Sequence, residues 1–212
     1  MGAFGVKRMK SFLVVAAVAS VATVAAPAAR ASWGTGFGVY PCGPRVTLQA
    51  FLPWGDDGLY FQAPNGGFDS GSYRWQMNGA YLDWNLNEPW SVFGALNSNS
   101  LVVPAGSLPT SGKFCVSSGE EAVRLFVGRP GVDGAILHVD VLAQNPVTGM
   151  TGVTSVDIDG SDPDWTPSPI ITVPPLFGDN GTENLQVRFS PQGTDATWQV
   201  DDVSVDPWRN CC

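Results

Sequence analysis

The chain has 212 residues, of which 11 are basic and 19 are acidic, and its formal net charge is −8. An acidic surface repels phosphate backbones and anionic lipids, so nucleic acid is not an expected partner. Eight Trp and 11 Phe residues, with a charged fraction of only 14%, argue against a disordered chain. The length predicts one domain with a substantial hydrophobic core.

The first 31 residues have the features of a secretory signal peptide. Three basic residues among the first ten precede an apolar, Ala-rich run, and the small residues Ala29 and Ala31 form a cleavage signature. We expect cleavage after Ala31 and secretion of the remainder. The apolar run is shorter than a spanning helix, so no membrane insertion is expected. Because the segment holds four basic residues and no acidic one, residues 32–212 carry a formal charge of −12.

The four cysteines suit an oxidising compartment. Cys42 and Cys115 are well separated, and we expect them to form a disulfide that closes a long loop. For the neighbouring Cys211 and Cys212, a vicinal bridge, a cross-link between two chains and free thiols all remain open. The sequence has no Cys-x-x-Cys spacing and one His, so a zinc-type site is not expected.

After residue 31 the sequence predicts strands and almost no helix. Gly and Pro recur before a helix could form, and short β-type runs between them are typical of an all-β antiparallel sandwich. In one run Leu137, Val139 and Val141 share a face, as expected where one side of a sheet covers a core. The predicted strands are Val46–Leu52, Leu59–Gln62, Tyr73–Met77, Ala80–Trp84, Ser100–Val103, Lys113–Val116, Ala122–Val127, Ala135–Leu142, Thr151–Asp157, Ile170–Val173, Asn184–Phe189 and Thr197–Val205.

Two stretches carry a resemblance to a known family. Residues 65–71 read Asn-Gly-Gly-Phe-Asp-Ser-Gly and are followed by Trp75, and residues 198–207 read Trp-Gln-Val-Asp-Asp-Val-Ser-Val-Asp-Pro. They resemble the opening and closing signatures of galactose-binding-like jelly rolls, which include several carbohydrate-binding modules. The chain also resembles small exported actinobacterial proteins of unassigned function. The resemblance implies a jelly-roll β-sandwich over residues 65–210, in one domain with an N-terminal arm and first strands at 32–64.

The same resemblance implies a structural calcium ion. In many such modules the acidic residue after the Phe and one Asp of the closing pair hold Ca²⁺ together with backbone carbonyls, which suits a cation that prefers oxygen ligands. The matching residues here are Asp69 and Asp201 or Asp202, with Asp69 standing where Glu is usual. Strand alternation predicts that Asp201 and Asp202 point to opposite faces, so at most one of them would face the ion.

Residues 81–90 combine the groups that a sugar site needs. Aromatic rings can stack on sugar C–H faces, while amides and carboxylates can bind hydroxyl groups, and binding residues concentrate on loops. The alternative for the aromatic residues is packing, since Trp and Tyr bury large areas; Trp75 and Trp198 are expected in the core. The predicted ligand-binding residues are Tyr81, Trp84, Asn85, Asn87, Glu88 and Trp90, with Trp54 and Trp165 as weaker candidates.

No catalytic motif is evident. His138 is the only His, it lies in a predicted strand, and Gly-x-Ser-x-Gly does not occur. The sequence therefore predicts a secreted, non-catalytic module that binds a polysaccharide or another component of the cell envelope. One alternative is a structural protein of the cell surface, cross-linked as a dimer through Cys211 or Cys212. The other is a glycan-active hydrolase or lyase, since a glycosidase needs only two carboxylates.

Overall fold

The structure, a computed structural model, describes residues 42–84, 86–94, 98–179, 181–193 and 195–206. Strands dominate them and form two antiparallel sheets, with one short 3-10 helix at Leu52–Trp54. The predicted all-β antiparallel sandwich of the jelly-roll class is confirmed. Within the described ranges, no helix has the length and apolar character that a membrane span requires. The predicted signal segment and the pair Cys211 and Cys212 lie outside the described residues.

The first sheet, named the covered sheet, contains seven strands. They are β1 (Phe61–Gln62), β3 (Tyr81–Asp83), β4 (Ser100–Val103), β7 (Ala122–Gly128), β10 (Trp165–Pro167), β11 (Ile171–Thr172) and β13 (Trp198–Asp206). β13 lies at the centre and pairs with β7 on one side and with β4 and β1 on the other. β3 pairs with β4 and forms an edge of the sheet.

The second sheet, named the open sheet, contains six strands. They are β2 (Trp75–Gln76), β5 (Thr110–Ser111), β6 (Phe114–Ser117), β8 (Ile136–Gln144), β9 (Thr151–Asp159) and β12 (Thr182–Gln192). β12 pairs with β8 on one side and with β5 and β6 on the other. β9 and β2 form the two opposite edges of this sheet.

The predicted strand at Val46–Leu52 is wrong. That segment forms a single isolated bridge between Leu48 and Tyr60, and the 3-10 helix begins at Leu52. Pro53 in this helix has no N–H to contribute to a sheet ladder, so no ladder can continue past Leu52. Two short strands, β5 and β10, were not predicted, because two or three residues are too few to show alternation.

A β-bulge interrupts β13 and reverses its alternation. Between Asp201 and Ser204 this strand has one residue more than β7 opposite, and Asp202 has a φ of 47°. A bulge shifts the residues beyond it to the other face. The regular alternation predicted for this strand is therefore wrong, and the apolar side chains on both sides of the bulge share the main core. These side chains are Trp198, Val200, Val203 and Val205.

The main core lies between the two sheets. Trp75 and Trp198 are 7% and 0% exposed, which confirms the prediction that both are core residues. The Trp75 ring stacks on Phe189 with 5.8 Å between centroids. Gly160 allows Trp198 to fit, because a Cβ at this position would lie 2.8 Å from the indole ring.

A second hydrophobic group, named the outer cluster, covers the outer face of the covered sheet. Phe126 of β7 lies at its centre, fully buried, with the ring centroids of Phe51 and Trp90 at 4.9 and 5.4 Å. The chain before β1, the loop after β3 and β10 therefore shield this face from water. The outer cluster consists of Leu48, Ala50, Phe51, Trp54, Tyr60, Trp90, Val92, Phe93, Phe126 and Trp165.

The outer face of the open sheet carries a ladder of polar side chains. Nδ1 of His138 lies 2.6 Å from the carboxylate of Asp157 on β9, and Nε2 lies 3.1 Å from Asp140. Asp140 also accepts hydrogen bonds from Ser155 and from the guanidinium of Arg188. Cross-strand pairs of this kind stabilise a sheet. His138 is thus part of a network that links three adjacent strands.

The chain before β1 is attached to the open sheet at its start. Cys42 forms a disulfide with Cys115 of β6, with 5.6 Å between the Cα atoms, which confirms the predicted pair. Arg45 then donates a hydrogen bond to the carbonyl oxygen of Cys115 at 2.7 Å and pairs with the buried carboxylate of Glu120 at 3.0 Å. Its guanidinium lies 4.2 Å from the ring centroid of Phe61. These contacts direct the chain from the open sheet to the covered sheet.

We expect replacement of both Cys42 and Cys115 by Ser to lower the free energy of unfolding by about 2–4 kcal/mol, because the disulfide restricts the unfolded chain. The bridge joins residues 73 positions apart, which is a long loop. Urea unfolding followed by Trp fluorescence measures the change, with the reduced wild-type protein as the control. Equal stability of the oxidised wild type and the double variant would contradict this prediction.

The stability of the protein should also depend on the protonation of His138. The hydrogen bond with Asp157, followed by the charge of Asp140, raises the pKa of His138 above its ordinary value of 6.5. The stabilisation is therefore complete below pH 6.5 and is lost as the pH rises through the raised pKa. Urea unfolding at several pH values should show this loss in the wild type and not in His138→Gln. The same pH dependence in both proteins would rule out His138 as its source.

Candidate functional site

The opening motif, residues 65–71, forms a turn that is attached to β13. Nδ2 of Asn65 donates a hydrogen bond to the carbonyl oxygen of Gly71 at 2.9 Å, which closes the turn. Gly66 is required, because a Cβ here would lie 2.3 Å from the carbonyl oxygen of Val203. The motif at the start of the sandwich and the motif at its end therefore meet at the bulge of β13.

Three exposed aromatic side chains follow one edge of the sandwich. β2 and β3 are edge strands of the two sheets, and only the turn 77–80 joins them, so both lie on the same side of the molecule. Tyr81 in β3 is 54% exposed, Trp84 just after β3 is 60% exposed, and Tyr73 just before β2 is 65% exposed. We name these three side chains the edge surface. Among the described residues, they are the aromatic side chains with the greatest exposure.

Tyr73 was not predicted as part of a site. It lies two residues before the core residue Trp75, so a strand over Tyr73–Met77 would direct both side chains inward. Arg74 has a φ of 69° instead, and β2 begins only at Trp75. This change of backbone direction places Tyr73 outside, with the Arg74 guanidinium 6.0 Å from its ring centroid. Arg does not favour the left-handed region, so no sequence signal marks the position.

Glu88, predicted as a ligand-binding residue, is only 1% exposed. Its carboxylate accepts hydrogen bonds from the backbone N–H groups of Trp90 and Val92, the latter at 2.7 Å. Its own N–H donates to the carboxylate of Asp201 at 3.4 Å. Burial raises the pKa of Glu88, whereas the hydrogen bonds that its carboxylate accepts from backbone N–H groups oppose this rise. The structure therefore places the Glu88 oxygens inside the loop after β3, where they stabilise that loop.

The other predicted ligand-binding residues divide between surface and interior. Trp90 packs in the outer cluster, 4.5 Å from Trp54 between ring centroids, and Trp165 belongs to the same cluster. Asn87 is half-buried, and Asn85 lies outside the described residues. Of the predicted ligand-binding aromatic residues, Tyr81 in β3 and Trp84 just after it remain well exposed.

Asp201 and Asp202, predicted metal ligands, are both fully buried. Asp201 accepts hydrogen bonds from the N–H groups of Asp202 and Glu88, at 2.7 and 3.4 Å. Asp202 accepts one from the side chain of Gln62 at 2.7 Å. Burial and then the neighbouring charge of Asp202 raise the pKa of Asp201 well above its usual range. The two carboxylates thus have different partners.

Asp69, the third predicted metal ligand, is exposed. Its carboxylate accepts a hydrogen bond from the N–H of Ser98. Asn99 donates to the carbonyl of Phe68 at 3.4 Å, and its Oδ1 is buried with no hydrogen-bond partner in the described part of the chain. Asn99 directly precedes β4, whose pairing with β13 ends at Leu101 and Val200, just before the bulge in β13. No three His, Cys, Asp or Glu side chains in the described ranges are grouped to hold a metal, so calcium here would also need amide and backbone oxygens.

No protein-family model and no curated protein matches the sequence. Several solved structures resemble this one. A family 28 carbohydrate-binding module, specific for non-crystalline cellulose, is 16% identical, with 68% of this chain and 95% of that chain covered and a TM-score of 0.46. A family 61 module in complex with β-1,4-galactotriose is 13% identical, with 68% and 96% covered and a TM-score of 0.44.

An arabinose-bound family 51 α-L-arabinofuranosidase is also similar, at 17% identity and a TM-score of 0.45. The match covers 65% of this chain and only 23% of the arabinofuranosidase chain. All of these similarities concern the arrangement of strands. The function must therefore be argued from the surfaces and side chains of this protein.

Proposed function

We propose that the protein is a secreted, non-catalytic module that binds a polysaccharide or another component of the cell envelope at the edge surface. The observation that carries this proposal is the exposure of Tyr81 and Trp84, at 54% and 60%, on and beside an edge strand. Flat aromatic faces are suited to the C–H faces of sugar rings, and the polar end of Tyr suits hydroxyl groups. A grouping of exposed rings is more informative than a single exposed apolar residue.

The edge surface is held by a rigid scaffold. In β3, Leu82 packs against the main core between Tyr81 and Asp83, which alternation places together on the opposite face. Register fixes Tyr81 against Val102 and Asp83 against Ser100. A ring and a carboxylate that are already in place lose little conformational freedom when a ligand binds.

The charge of the protein favours a neutral ligand. Residues 32–212 carry a formal charge of −12, so a polyanionic polymer would be repelled over most of the surface. Neutral glycans present hydroxyl groups and apolar C–H faces without this penalty.

Binding should depend on Trp84. In affinity electrophoresis through gels that contain neutral polysaccharides, the wild-type protein should be retarded by at least one polymer. Trp84→Ala should weaken that binding about thirtyfold, because loss of a main aromatic contact costs about 2 kcal/mol. Met150→Ala is the matched control, since Met150 is also 60% exposed and lies in the turn between β8 and β9.

Circular dichroism and the melting temperature establish that Trp84→Ala remains folded. A protein that is folded and not retarded by any polymer would overturn the proposal. If Trp84→Ala is retarded as strongly as the wild type, the polysaccharide does not bind at the edge surface. Release of reducing ends from the same polymers would show a hydrolase instead.

We also propose a structural calcium ion beside the opening motif. Asp69 and the Oδ1 of Asn99, which has no hydrogen-bond partner among the described residues, supply oxygen atoms of the kind that Ca²⁺ prefers. Asp201 or Asp202 of the closing strand, whose bulge lies against the opening motif, would complete the set together with backbone groups. Bound calcium would fix the opening turn against the closing strand.

Calcium should raise the melting temperature of the wild-type protein, because a ligand that binds the folded state stabilises it. Asp69→Ala should abolish this increase. Asp133→Ala, which removes another exposed carboxylate in a turn, is the control and should keep the full increase. No change in the wild-type melting temperature on addition of calcium or of a chelator would exclude the ion.

A further inference from the structure

A row of paired residues crosses the outer face of the covered sheet, from the edge surface to β10. Val102 of β4 pairs with Tyr81 on one side and with Gln199 of β13 on the other. Gln199 pairs in turn with Gly128 of β7, and Gly128 pairs with Trp165 of β10. Residues that pair in this way across antiparallel strands point to the same face. We name these five residues the shelf, and the four strand spacings that it crosses correspond to about 19 Å.

The shelf borders the part of the sheet that the loop after β3 covers. Val127 faces the main core, so its neighbour Gly128 points outward, to the same face as Phe126 of the outer cluster. Phe126 and Asp201 pair in register and are fully buried where the loop after β3 packs on the sheet. They lie two positions along their strands from Gly128 and Gln199. The loop is therefore a wall along one side of the shelf.

Gly128 brings an aromatic ring and an amide together at the middle of the shelf. A Cβ at this position would lie 2.7 Å from the indole ring of Trp165 and 2.9 Å from Oε1 of Gln199. The ring and the amide oxygen are therefore neighbours above the backbone of β7. Trp165 and Gln199 are both half-buried, so each keeps some surface that a ligand can reach. Val102 is only 4% exposed and forms the floor between Gln199 and Tyr81.

We propose that the shelf continues the site at the edge surface, so that an extended neutral glycan of several sugar units lies across the covered sheet from Tyr81 to Trp165. This inference rests on the proposed function. Trp165 supplies a second ring for the C–H face of a sugar, and the amide of Gln199 binds a hydroxyl group between the two rings. The shelf has no charged side chain, which suits an uncharged ligand. A site of this length fits the interior of a polymer chain rather than a single terminal sugar.

Affinity electrophoresis through gels that contain a soluble cellulose derivative, xylan or galactan tests the role of Gln199. Gln199→Ala should weaken binding to the polymer that retards the wild-type protein about fivefold, because one hydrogen bond is lost. Gln144→Ala is the matched control, since Gln144 is also half-buried and ends β8 of the open sheet. The control should be retarded as strongly as the wild type. Circular dichroism and the melting temperature verify that each variant is folded.

Oligosaccharides prepared from the same polymer measure the length of the site. In calorimetry, the hexasaccharide should bind the wild-type protein about tenfold or more tightly than the disaccharide, because only the longer chain reaches both Tyr81 and Trp165. Gln199→Ala should reduce this ratio, and Gln144→Ala should keep it.

The outcomes separate this inference from the proposed function. If Gln199→Ala binds like the wild type while Trp84→Ala loses binding, the glycan is confined to the edge surface, and the shelf proposal is wrong while the proposed function stands. Equal affinities of the wild type for the hexasaccharide and the disaccharide would have the same meaning. A folded wild-type protein that no polymer retards would overturn both proposals.

Discussion

Burial of both faces of β7 is the constraint on which the rest of the structure depends. Leu125 faces the main core and Phe126 faces the outer cluster, and both are fully buried. An outward ring in a central strand must be covered, so the chain before β1 and the loop after β3 pack on it. Covering loops bring backbone N–H groups out of water, and these need partners. Glu88 supplies them from a buried carboxylate, which explains why an acidic residue occupies the interior.

The sequence predicts the sandwich because alternation is local. Val139 and its neighbours in β8 alternate regularly, and the structure buries the expected face. The outer cluster could not be predicted, because Trp54 and Trp90 come from separate irregular segments and look like exposed loop residues. The same applies to Tyr73, whose exposure depends on the backbone angle of Arg74. Patterns with a period of two are thus readable from sequence, while single backbone reversals and loop packing are not.

The two motifs at the ends of the sandwich act together in the fold. The turn that contains Gly66 can approach β13 only without a side chain, and the bulge after Asp201 keeps the apolar residues of β13 in one core. The bulge also buries two adjacent Asp residues, which simple alternation would have separated. The spacing of these motifs therefore reflects the closure of the sandwich by its last strand. Their side chains determine the fold first, and any calcium would add to a closure that already exists.

The outer face of the open sheet illustrates why a face rich in polar side chains need not be a binding face. Its central polar groups are bonded to one another: Asp140 accepts from Arg188 and Ser155 and contacts His138. A ligand there would have to replace bonds that are already made, with little net gain. Exposed rings have no such competitor, so the edge surface offers more to a ligand than the centre of the sheet. The long edge strand β9 must instead be kept from such contacts, because exposed strand edges can pair with other chains. The surface therefore has three kinds of region: a face whose polar groups are already hydrogen-bonded, an edge with exposed aromatic rings, and the edge of β9, which must avoid pairing with other chains.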